Sequence, residues 1–546
     1  MTQGSDHPDS GRRAVLLTGA ALAAAAAAPK AFAQTSGLGT GGASSKIFQV
    51  TETATGKVQG IANGPTWEFR GIPYGAPTGG KNRYMPPKPP APWKGVRECF
   101  AYTSVCPQTQ ADIRGEYGQL IMWDRQVGGM GEDCLSLNVW TTTTDRSAKK
   151  AVVVSFHGGG FASGSGNAPG FDGKNLAYYG DVVVVTVNHR LASFGYTNLV
   201  GAGAPEAFRY AGVCGVLDLV ASLEWVKANI ENFGGDPSRV MIFGQSGGGA
   251  KTSTVLAMPP AKGLFHRAAV QSGSALRLVT PEAGAATAEK FVKQLGLTKS
   301  NIADIQKLDW RQLLEAQTAA GGNFSPVIGT DALPNHPFDP AAPAVSANVP
   351  IMVSTTLEDA ALGLTNFDLT EAGLLDIIEK RSPGHGKEIL ALYRRYDPGA
   401  TPFLIQAQML TDAGGRRAAF TMAARKAALG AAPAYVYQWN WRTPAYDGKF
   451  GAVHGIDVSA SFHSYRDGFF AGSTQGKKMA DRLASCWAAF AKTGDPNNDH
   501  IPTWKPYDDA GRAVMIFDND TRQDMNPRAG IRAYWDANPP PPGPRG

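Results

Sequence analysis

The sequence lacks most features that mark membrane, nucleic-acid-binding or disulfide-rich proteins. Its 546 residues include 5 cysteines and 9 histidines, with no Cys-x-x-Cys or His-x-x-x-His spacing, and the formal net charge of +6 is not gathered into a basic run. The longest apolar run, residues 14–28, is shorter than the roughly 20 residues that span a bilayer. We therefore expect no metal, no cofactor, no nucleic-acid partner and no membrane-spanning segment in the mature chain.

The N-terminus has the pattern of an export signal. Arg12 and Arg13 precede the apolar run, and Ala31-Phe32-Ala33 forms a small-x-small cleavage site. The weakly apolar, alanine-rich run and the late Lys30 favour a twin-arginine signal. We expect cleavage after Ala33, export to the periplasm or the medium, a flexible linker over 34–46, a single domain over 47–537 and a proline-rich tail over 538–546.

An oxidising compartment permits disulfide bonds, and the five cysteines allow one to be predicted. Cys106 and Cys134 flank a loop rich in glycine and turn residues, whereas Cys214 and Cys486 lie in apolar helical segments where thiols usually pack. We predict one bridge, Cys106 to Cys134. We expect Cys99 to be either a free thiol or an alternative partner in this disulfide.

The centre of the chain alternates between apolar β-branched runs and helical periodicity. Such runs are typical of parallel strands buried on both faces. The alternation predicts an α/β fold with a mostly parallel, doubly wound sheet, helices on both faces and helical insertions over 280–314 and 367–396 as a cap. The predicted strands cover 151–156, 181–188, 239–243, 267–270, 350–353 and 434–439, and the predicted helices cover 216–230, 250–258 and 479–492.

Gly244-Gln245-Ser246-Gly247-Gly248 follows a predicted strand and precedes a predicted helix. This is the setting of a nucleophile elbow, in which flanking glycines relieve crowding around an exposed serine. A serine hydroxyl needs a base and an acid, which in this fold follow it in the order acid, then histidine. Of the later histidines, His454 stands between glycines in a loop, and His463 and His500 are the alternatives.

The acid should follow a strand that ends near the elbow. Glu358 and Asp359 come directly after the predicted strand 350–353, and both are candidates. His157-Gly158-Gly159-Gly160 follows another predicted strand and offers backbone N–H groups for an oxyanion hole. The order of these motifs predicts a serine hydrolase.

Together these motifs resemble those of the type-B carboxylesterases, the family that includes carboxylesterases and cholinesterases. The resemblance covers about residues 48–535 and implies an α/β-hydrolase fold, with Ser246 as nucleophile, His454 as general base and Gly159, Gly160 and Gly247 as oxyanion donors. It also implies that Cys106 and Cys134 form the family's first disulfide and that Ser272 lies near the triad acid. Further matching motifs are Phe69-Arg70-Gly71-Ile72-Pro73-Tyr74, Glu132-Asp133-Cys134-Leu135-Ser136-Leu137-Asn138-Val139-Trp140, Asn188-His189-Arg190 and Phe233-Gly234-Gly235-Asp236-Pro237.

The chain departs from the family pattern at three places. Asp359 stands where the family usually has Glu, and it is one methylene, about 1.5 Å, shorter; we assign it as the acid in preference to Glu358. Gln245 stands where cholinesterases have Glu, and Gly247 where Ala is usual. Trp123 resembles the cholinesterase tryptophan that stacks on quaternary ammonium groups, but without the neighbouring charge we expect an ordinary aromatic residue rather than a choline site.

The predicted function is hydrolysis of carboxylic esters through an acyl-enzyme at Ser246, with a small-molecule ester and water as reactants. Amides, thioesters or lactones are the alternative substrates, because the same triad and oxyanion hole serve them. A non-catalytic binding protein on the same scaffold is the alternative from another class.

Overall fold

The computed structural model describes residues 47–109, 120, 122–123, 127–466 and 468–539. Within the chain, Ile47–Gly546 group into one compact unit. The predicted signal, the predicted linker and positions 540–546 of the predicted tail lie outside the described residues.

One sheet contains the thirteen strands of the described residues, in the order β1-β2-β3-β5-β7-β6-β8-β9-β10-β11-β12-β13, with β4 paired to β2. The pairs from β7 to β12 are parallel, and the pairs at both ends are antiparallel. The strands are β1 Phe48–Thr53, β2 Gly56–Asn63, β3 Thr66–Pro73, β4 Val96–Glu98, β5 Ser136–Thr141, β6 Lys150–Phe156, β7 Val183–Val187, β8 Gly235–Gln245, β9 Arg267–Gln271, β10 Ile351–Thr356, β11 Ala434–Trp439, β12 Ala513–Phe517 and β13 Arg522–Met525.

The central strands form where the sequence places β-branched residues in unbroken runs. All of β7, β10 and β11 is buried, as is β6 after its first residue. Side chains buried on both faces of a parallel sheet produce this continuous apolar pattern. The predicted mostly parallel α/β sheet is confirmed, and the predicted strand 434–439 has the bounds of β11.

The helices pack against this sheet and its edges. They are α1 Lys174–Tyr179, α2 Ala192–Gly195, α3 Cys214–Asn229, α4 Gly247–Leu256, α5 Pro281–Gln294, α6 Trp310–Ala320, α7 Glu371–Arg381, α8 Gly386–Tyr396, α9 Pro402–Thr411, α10 Arg417–Ala428, α11 Ile456–Ser461, α12 Thr474–Thr493 and α13 Ala529–Ala537. A π-helical turn, Asp412–Arg416, joins α9 to α10. Helices α5, α7 and α8 fall in the two insertions predicted to be helical, and α6 begins in the first insertion and extends six residues beyond it, to Ala320. Over the residues that the structure describes, no helix has the length and apolarity needed to cross a membrane.

All five cysteines are free thiols in the structure, so the Cys106–Cys134 disulfide stays a prediction. The fold does bring the two residues together: burial and a side-chain hydrogen bond with Cys106 raise the pKa of the Cys134 thiol. The Leu191 N–H also donates to Cys106 Sγ at 3.2 Å. The sulfur atoms of Cys106 and Cys134 thus lie close together as buried, hydrogen-bonded thiols, without a covalent bond in the structure. Cys99 is a separate buried thiol.

Candidate active site

Ser246 lies in a strained turn between β8 and α4. Its φ of 59° and ψ of −124° are unusual for a residue with a side chain. The flanking glycines are required by close packing: a Cβ on Gly248 would lie 2.0 Å from the Phe156 carbonyl oxygen, and one on Gly244 would lie 2.4 Å from the carbonyl carbon of Gly248. The turn therefore has the geometry of a nucleophile elbow.

His454 and Asp359 meet through their side chains. Asp359 Oδ1 accepts a hydrogen bond from His454 Nδ1 at 2.5 Å, and the side chains are only 11% and 10% exposed. Because a carboxylate only accepts, this bond puts the proton of a neutral imidazole on Nδ1. Asp359 begins a 3-10 turn, Asp359–Gly363, directly after β10. That turn lets the shorter side chain reach the imidazole.

Glu358, the alternative acid, is buried and has different partners. Its Oε1 accepts from Gln408 Nε2 at 2.8 Å and from Arg442 Nη2 at 2.7 Å. Its Oε2 accepts from the Ala452 N–H at 2.8 Å, and its own N–H donates to the Ala452 carbonyl oxygen at 3.1 Å. Glu358 thus connects the end of β10 to the loop that carries His454 through hydrogen bonds with Ala452, whereas Asp359 contacts the imidazole of His454.

The predicted oxyanion loop, residues 158–160, follows β6 and lies against the first turn of α4. Gly159 and Gly160 have φ values of 89° and 63°, which favour glycine. A Cβ on Gly247 would lie 2.2 Å from the Gly160 nitrogen. Among the described residues, the backbone N–H groups of Gly159, Gly160 and Gly247 have no hydrogen-bond acceptor. The glycine at 247, where the family usually has alanine, therefore makes room for this loop.

Gln245 and Trp123 lie beside His454. A Cβ on Gly455 would be 3.0 Å from the Trp123 ring and 3.8 Å from Gln245 Nε2. Among the described residues, the buried Nε2 and Oε1 atoms of Gln245 have no hydrogen-bond partner. Trp123 stacks on Phe171 with ring centroids 6.4 Å apart. An uncharged amide and an aromatic pair thus lie next to Gly455, the residue that follows His454.

Ser272 follows β9 with a φ of 46°, and its N–H donates to the Ser354 carbonyl oxygen of β10 at 2.9 Å. Its hydroxyl is buried and has no hydrogen-bond partner among the residues that the structure describes. The backbone at Ser272 therefore joins β9 to β10, the strand that leads to the acid.

Asp457 is a buried carboxylate near the site that the sequence analysis did not identify. Tyr437 Oη donates to its Oδ2 at 2.8 Å, while Oδ1 has no hydrogen-bond partner within the described part of the chain. Burial raises the pKa of Asp457 to about 6. The sequence signal that could have identified Asp457 is its position three residues after His454. An acidic residue at the start of a helix, however, usually indicates only a favourable interaction with the helix dipole.

The pKa of His454 is set by opposing effects. Burial lowers this pKa, but the Asp359 carboxylate, its hydrogen bond and the Asp457 charge raise it, and the net result lies above the usual value for histidine. The imidazolium form is thereby stabilised, as a base that gains a proton during reaction requires.

The other candidate histidines have other surroundings. His463 Nε2 pairs with Asp481 Oδ1 at 2.8 Å, and its ring stacks on Tyr179 with centroids 3.8 Å apart. His500 is exposed, and its backbone N–H donates to Asn498. Of these three histidines, His454 is the one paired with Asp359.

A serine elbow, a glycine loop beside it and a paired aspartate and histidine on a mostly parallel sheet define a hydrolase of the α/β-hydrolase class. The chain belongs to the carboxylesterase family, whose sequence profile matches residues 48–391 and 403–535. It is a carboxylic ester hydrolase.

The para-nitrobenzyl esterase of Bacillus subtilis (strain 168) is 32% identical over 496 residues, which cover 88% of this chain and 97% of that protein. The phenmedipham hydrolase of Pseudarthrobacter oxydans is 28% identical, covering 86% of this chain and 94% of that protein. Among solved structures, carboxylesterase EST55 of Geobacillus stearothermophilus matches with a TM-score of 0.76 and 31% identity, over 89% of this chain and 99% of that one. An esterase from Clostridium hathewayi that can hydrolyse aliphatic aromatic polyesters matches with a TM-score of 0.78 and 32% identity, over 90% and 98%.

Proposed function

We propose that Ser246, His454 and Asp359 form the catalytic triad of this esterase. Ser246 Oγ attacks the ester carbonyl carbon while His454 takes the hydroxyl proton, and the leaving alcohol receives that proton as the acyl-enzyme forms. Water, activated by His454, then releases the acid. The hydrogen bond of 2.5 Å between His454 and Asp359 is the observation that supports these roles.

In the same proposal, the backbone N–H groups of Gly159, Gly160 and Gly247 bind the oxyanion. Loss of one such donor lowers kcat by about 10²- to 10³-fold in other hydrolases. The close approach of Gly160 to Gly247 supports this role, because it brings the two glycine segments together next to Ser246.

A chain-length series of p-nitrophenyl esters, run on the mature protein with Ser246→Ala as the blank, tests the proposal. We expect turnover in the parent and none above the blank in the variant. Matching amides, thioesters and lactones in the same assay rank the alternative substrates. Specific binding of esters without any turnover would instead indicate a non-catalytic binding protein.

We further propose that the site prefers neutral esters with an aromatic alcohol over choline esters. The uncharged Gln245 and the stacked Trp123–Phe171 pair beside His454 support this preference, as does similarity to a para-nitrobenzyl esterase. The test compares p-nitrobenzyl acetate, acetylcholine and the neutral 3,3-dimethylbutyl acetate. A higher kcat/KM for acetylcholine than for its neutral isostere would contradict the preference.

Export is proposed from the N-terminal pattern alone. Arg12-Arg13, the alanine-rich run and Ala31-Phe32-Ala33 support a twin-arginine signal. We expect the exported protein to begin at Gln34 and the double substitution Arg12→Lys, Arg13→Lys to retain it in the cytoplasm. N-terminal sequencing of cell fractions measures both, and export of the doubly substituted chain would contradict the twin-arginine route.

A further inference from the structure

Lys251 is a fully buried lysine on α4, the helix that begins directly after Ser246. Its Nζ donates to the His157 carbonyl oxygen at 2.8 Å and lies 3.5 Å from His157 Nδ1. Burial lowers the pKa of Lys251 well below its usual value. Among the described residues, no carboxylate pairs with it. A buried lysine without a counter-ion is costly, so its hydrogen bond is its main favourable contact.

The acceptor of that hydrogen bond leads into the oxyanion loop. The His157 carbonyl and the Gly158 N–H belong to the same peptide group, and the next two residues are glycines with positive φ. Glycine segments have high conformational freedom, whereas oxyanion donors must be held within a few tenths of an ångström of their working positions. The loop therefore needs anchors from outside its own backbone.

Lys251 and Gly247 lie on the same helix. Gly247 is the first residue of α4 and supplies one proposed oxyanion donor, while Lys251, one turn later, holds the peptide from which the loop begins. A single rigid helix thereby fixes both segments that carry donors. The loop has further anchors: His157 Nδ1 lies 2.8 Å from the Gly158 carbonyl oxygen, the Ser163 N–H donates to the Gly159 carbonyl oxygen at 3.0 Å, and Gln108 Oε1 accepts from the Gly164 N–H at 2.7 Å. Lys251 differs from these anchors in connecting the start of the loop to α4.

We propose that Lys251 is a positioning residue that sets the oxyanion loop relative to α4. This inference rests on the proposed ester hydrolysis at Ser246. Lys251 itself does not touch the substrate. It fixes the His157 peptide, and through it the donors of Gly159 and Gly160, at the distance from Gly247 that the tetrahedral oxyanion requires.

The chain contains a matched lysine for control. Lys426 on α10 is also buried, and its Nζ donates to the carbonyl oxygens of Ser346 and Ala347 at 2.9 and 2.6 Å. Those carbonyls precede β10, whereas Asp359 follows it, so a six-residue strand of about 20 Å separates them from the acid. Lys426 therefore makes the same kind of hydrogen bond at the opposite edge of the sheet.

The test compares Lys251→Met with Lys426→Met, because methionine keeps the volume and removes the donor. For Lys251→Met we expect kcat per titrated Ser246 to fall about 10- to 100-fold, part of the effect of losing a whole donor, with KM changed by less than about threefold. The Ki of a trifluoromethyl ketone, which forms a tetrahedral adduct, should rise by the same factor as kcat/KM falls. Lys426→Met should lower Tm and leave kcat and this Ki unchanged.

Lys251→Gln, which keeps a shorter donor, is the second variant and should retain more kcat than Lys251→Met. The proposal is overturned if both Met variants lower Tm while neither changes kcat or the inhibitor Ki. It is also overturned if neither Lys251 variant folds while Lys426→Met does, because the role is then structural. A parent protein that neither hydrolyses p-nitrophenyl esters nor reacts at Ser246 would instead refute the proposed function.

Discussion

At the scale of single residues, two adjacent carboxylates have different tasks. Asp359 contacts His454, while Glu358 joins β10 to the loop of that histidine through Arg442, Gln408 and Ala452. The sequence placed both after a strand but contained no signal for their separate orientations. That division depends on the 3-10 turn that begins at Asp359 and turns its side chain toward the imidazole.

Asp359→Asn and Glu358→Gln are matched acid-to-amide substitutions that separate these tasks. We expect Asp359→Asn to lower kcat by about 10³- to 10⁴-fold, because the amide favours the wrong imidazole tautomer. Glu358→Gln should keep kcat within about tenfold and cost about 1–3 kcal/mol of unfolding free energy, because it weakens buried hydrogen bonds. Steady-state kinetics and urea unfolding measure both; collapse of acylation in Glu358→Gln alone would make Glu358 the acid.

The pH profile follows from the raised pKa of His454. A raised pKa keeps the imidazole protonated, and unable to act as a base, over more of the acidic range. We therefore expect kcat/KM to rise with pH around a midpoint above the usual histidine value of about 6.5. Asp359→Asn removes the carboxylate charge and should move this midpoint to lower pH. An unchanged midpoint in that variant would show that Asp359 does not control the titration.

Gly247→Ala tests whether the loop of Gly160 requires glycine at position 247, where the family usually has alanine. The added Cβ would lie 2.2 Å from the Gly160 nitrogen, so the loop would have to move away from α4. We expect kcat to fall by about 10- to 100-fold, within the range for an impaired oxyanion donor, with the chain still folded by circular dichroism. Full activity in Gly247→Ala would mean that the loop adapts without loss of its donors.

A functional residue can be predicted from the sequence when a short contiguous motif indicates its role. The serine elbow and the glycine loop are contiguous motifs, and both were identified from the sequence. Asp457 was not, because its importance comes from burial against Tyr437 and its proximity to His454, which only the fold creates. The Cys106–Cys134 bridge stays a prediction, since both residues are free thiols in the structure and proximity in the fold does not by itself fix the oxidation state of two sulfurs.

At the scale of elements, the elbow depends on how closely β6, β8 and α4 pack. Gly248 approaches the Phe156 carbonyl of β6 so closely that a Cβ would lie 2.0 Å from it. Gly248→Ala should therefore separate these elements and cost at least about 1–3 kcal/mol, as overpacking does elsewhere. Thermal and urea unfolding measure this loss.

Gly399→Ala is the matched control, because its Cβ would meet nothing within 4 Å and its φ is not positive. We expect a change of less than about 0.5 kcal/mol there. Equal stabilities of the two variants would contradict the close packing of the elbow.

The elements that the sequence predicted share one property. The buried parts of β6 to β11 in the parallel part of the sheet have continuous runs rich in Val, Ile and Ala; in β8 this run begins at Val240. The strands at both edges were not predicted as strands: β1 alternates between exposed and half-buried residues, and β13 is largely exposed. Their pairing depends on neighbours distant in sequence, which local pattern does not reveal.

At the scale of the whole molecule, the site exists because parallel strands end at the same edge of the sheet. The oxyanion loop follows β6, Ser246 follows β8, and Asp359 follows β10. Their order along the chain could be predicted from the sequence, and the family profile covers the same span. The glycine-flanked loop of His454 was also expected at this edge, but its attachment through the buried Glu358 could not be predicted from the sequence.

The most direct test of the central claim is covalent labelling of the folded protein with a fluorophosphonate, followed by peptide mass spectrometry and residual p-nitrophenyl ester hydrolysis. Nucleophilic catalysis at Ser246 predicts one adduct per chain, on the peptide that contains Ser246, with hydrolysis lost in proportion to labelling. Ser246→Ala should remain unlabelled and inactive. An adduct on another residue, or full hydrolysis after complete labelling of Ser246, would contradict the assignment.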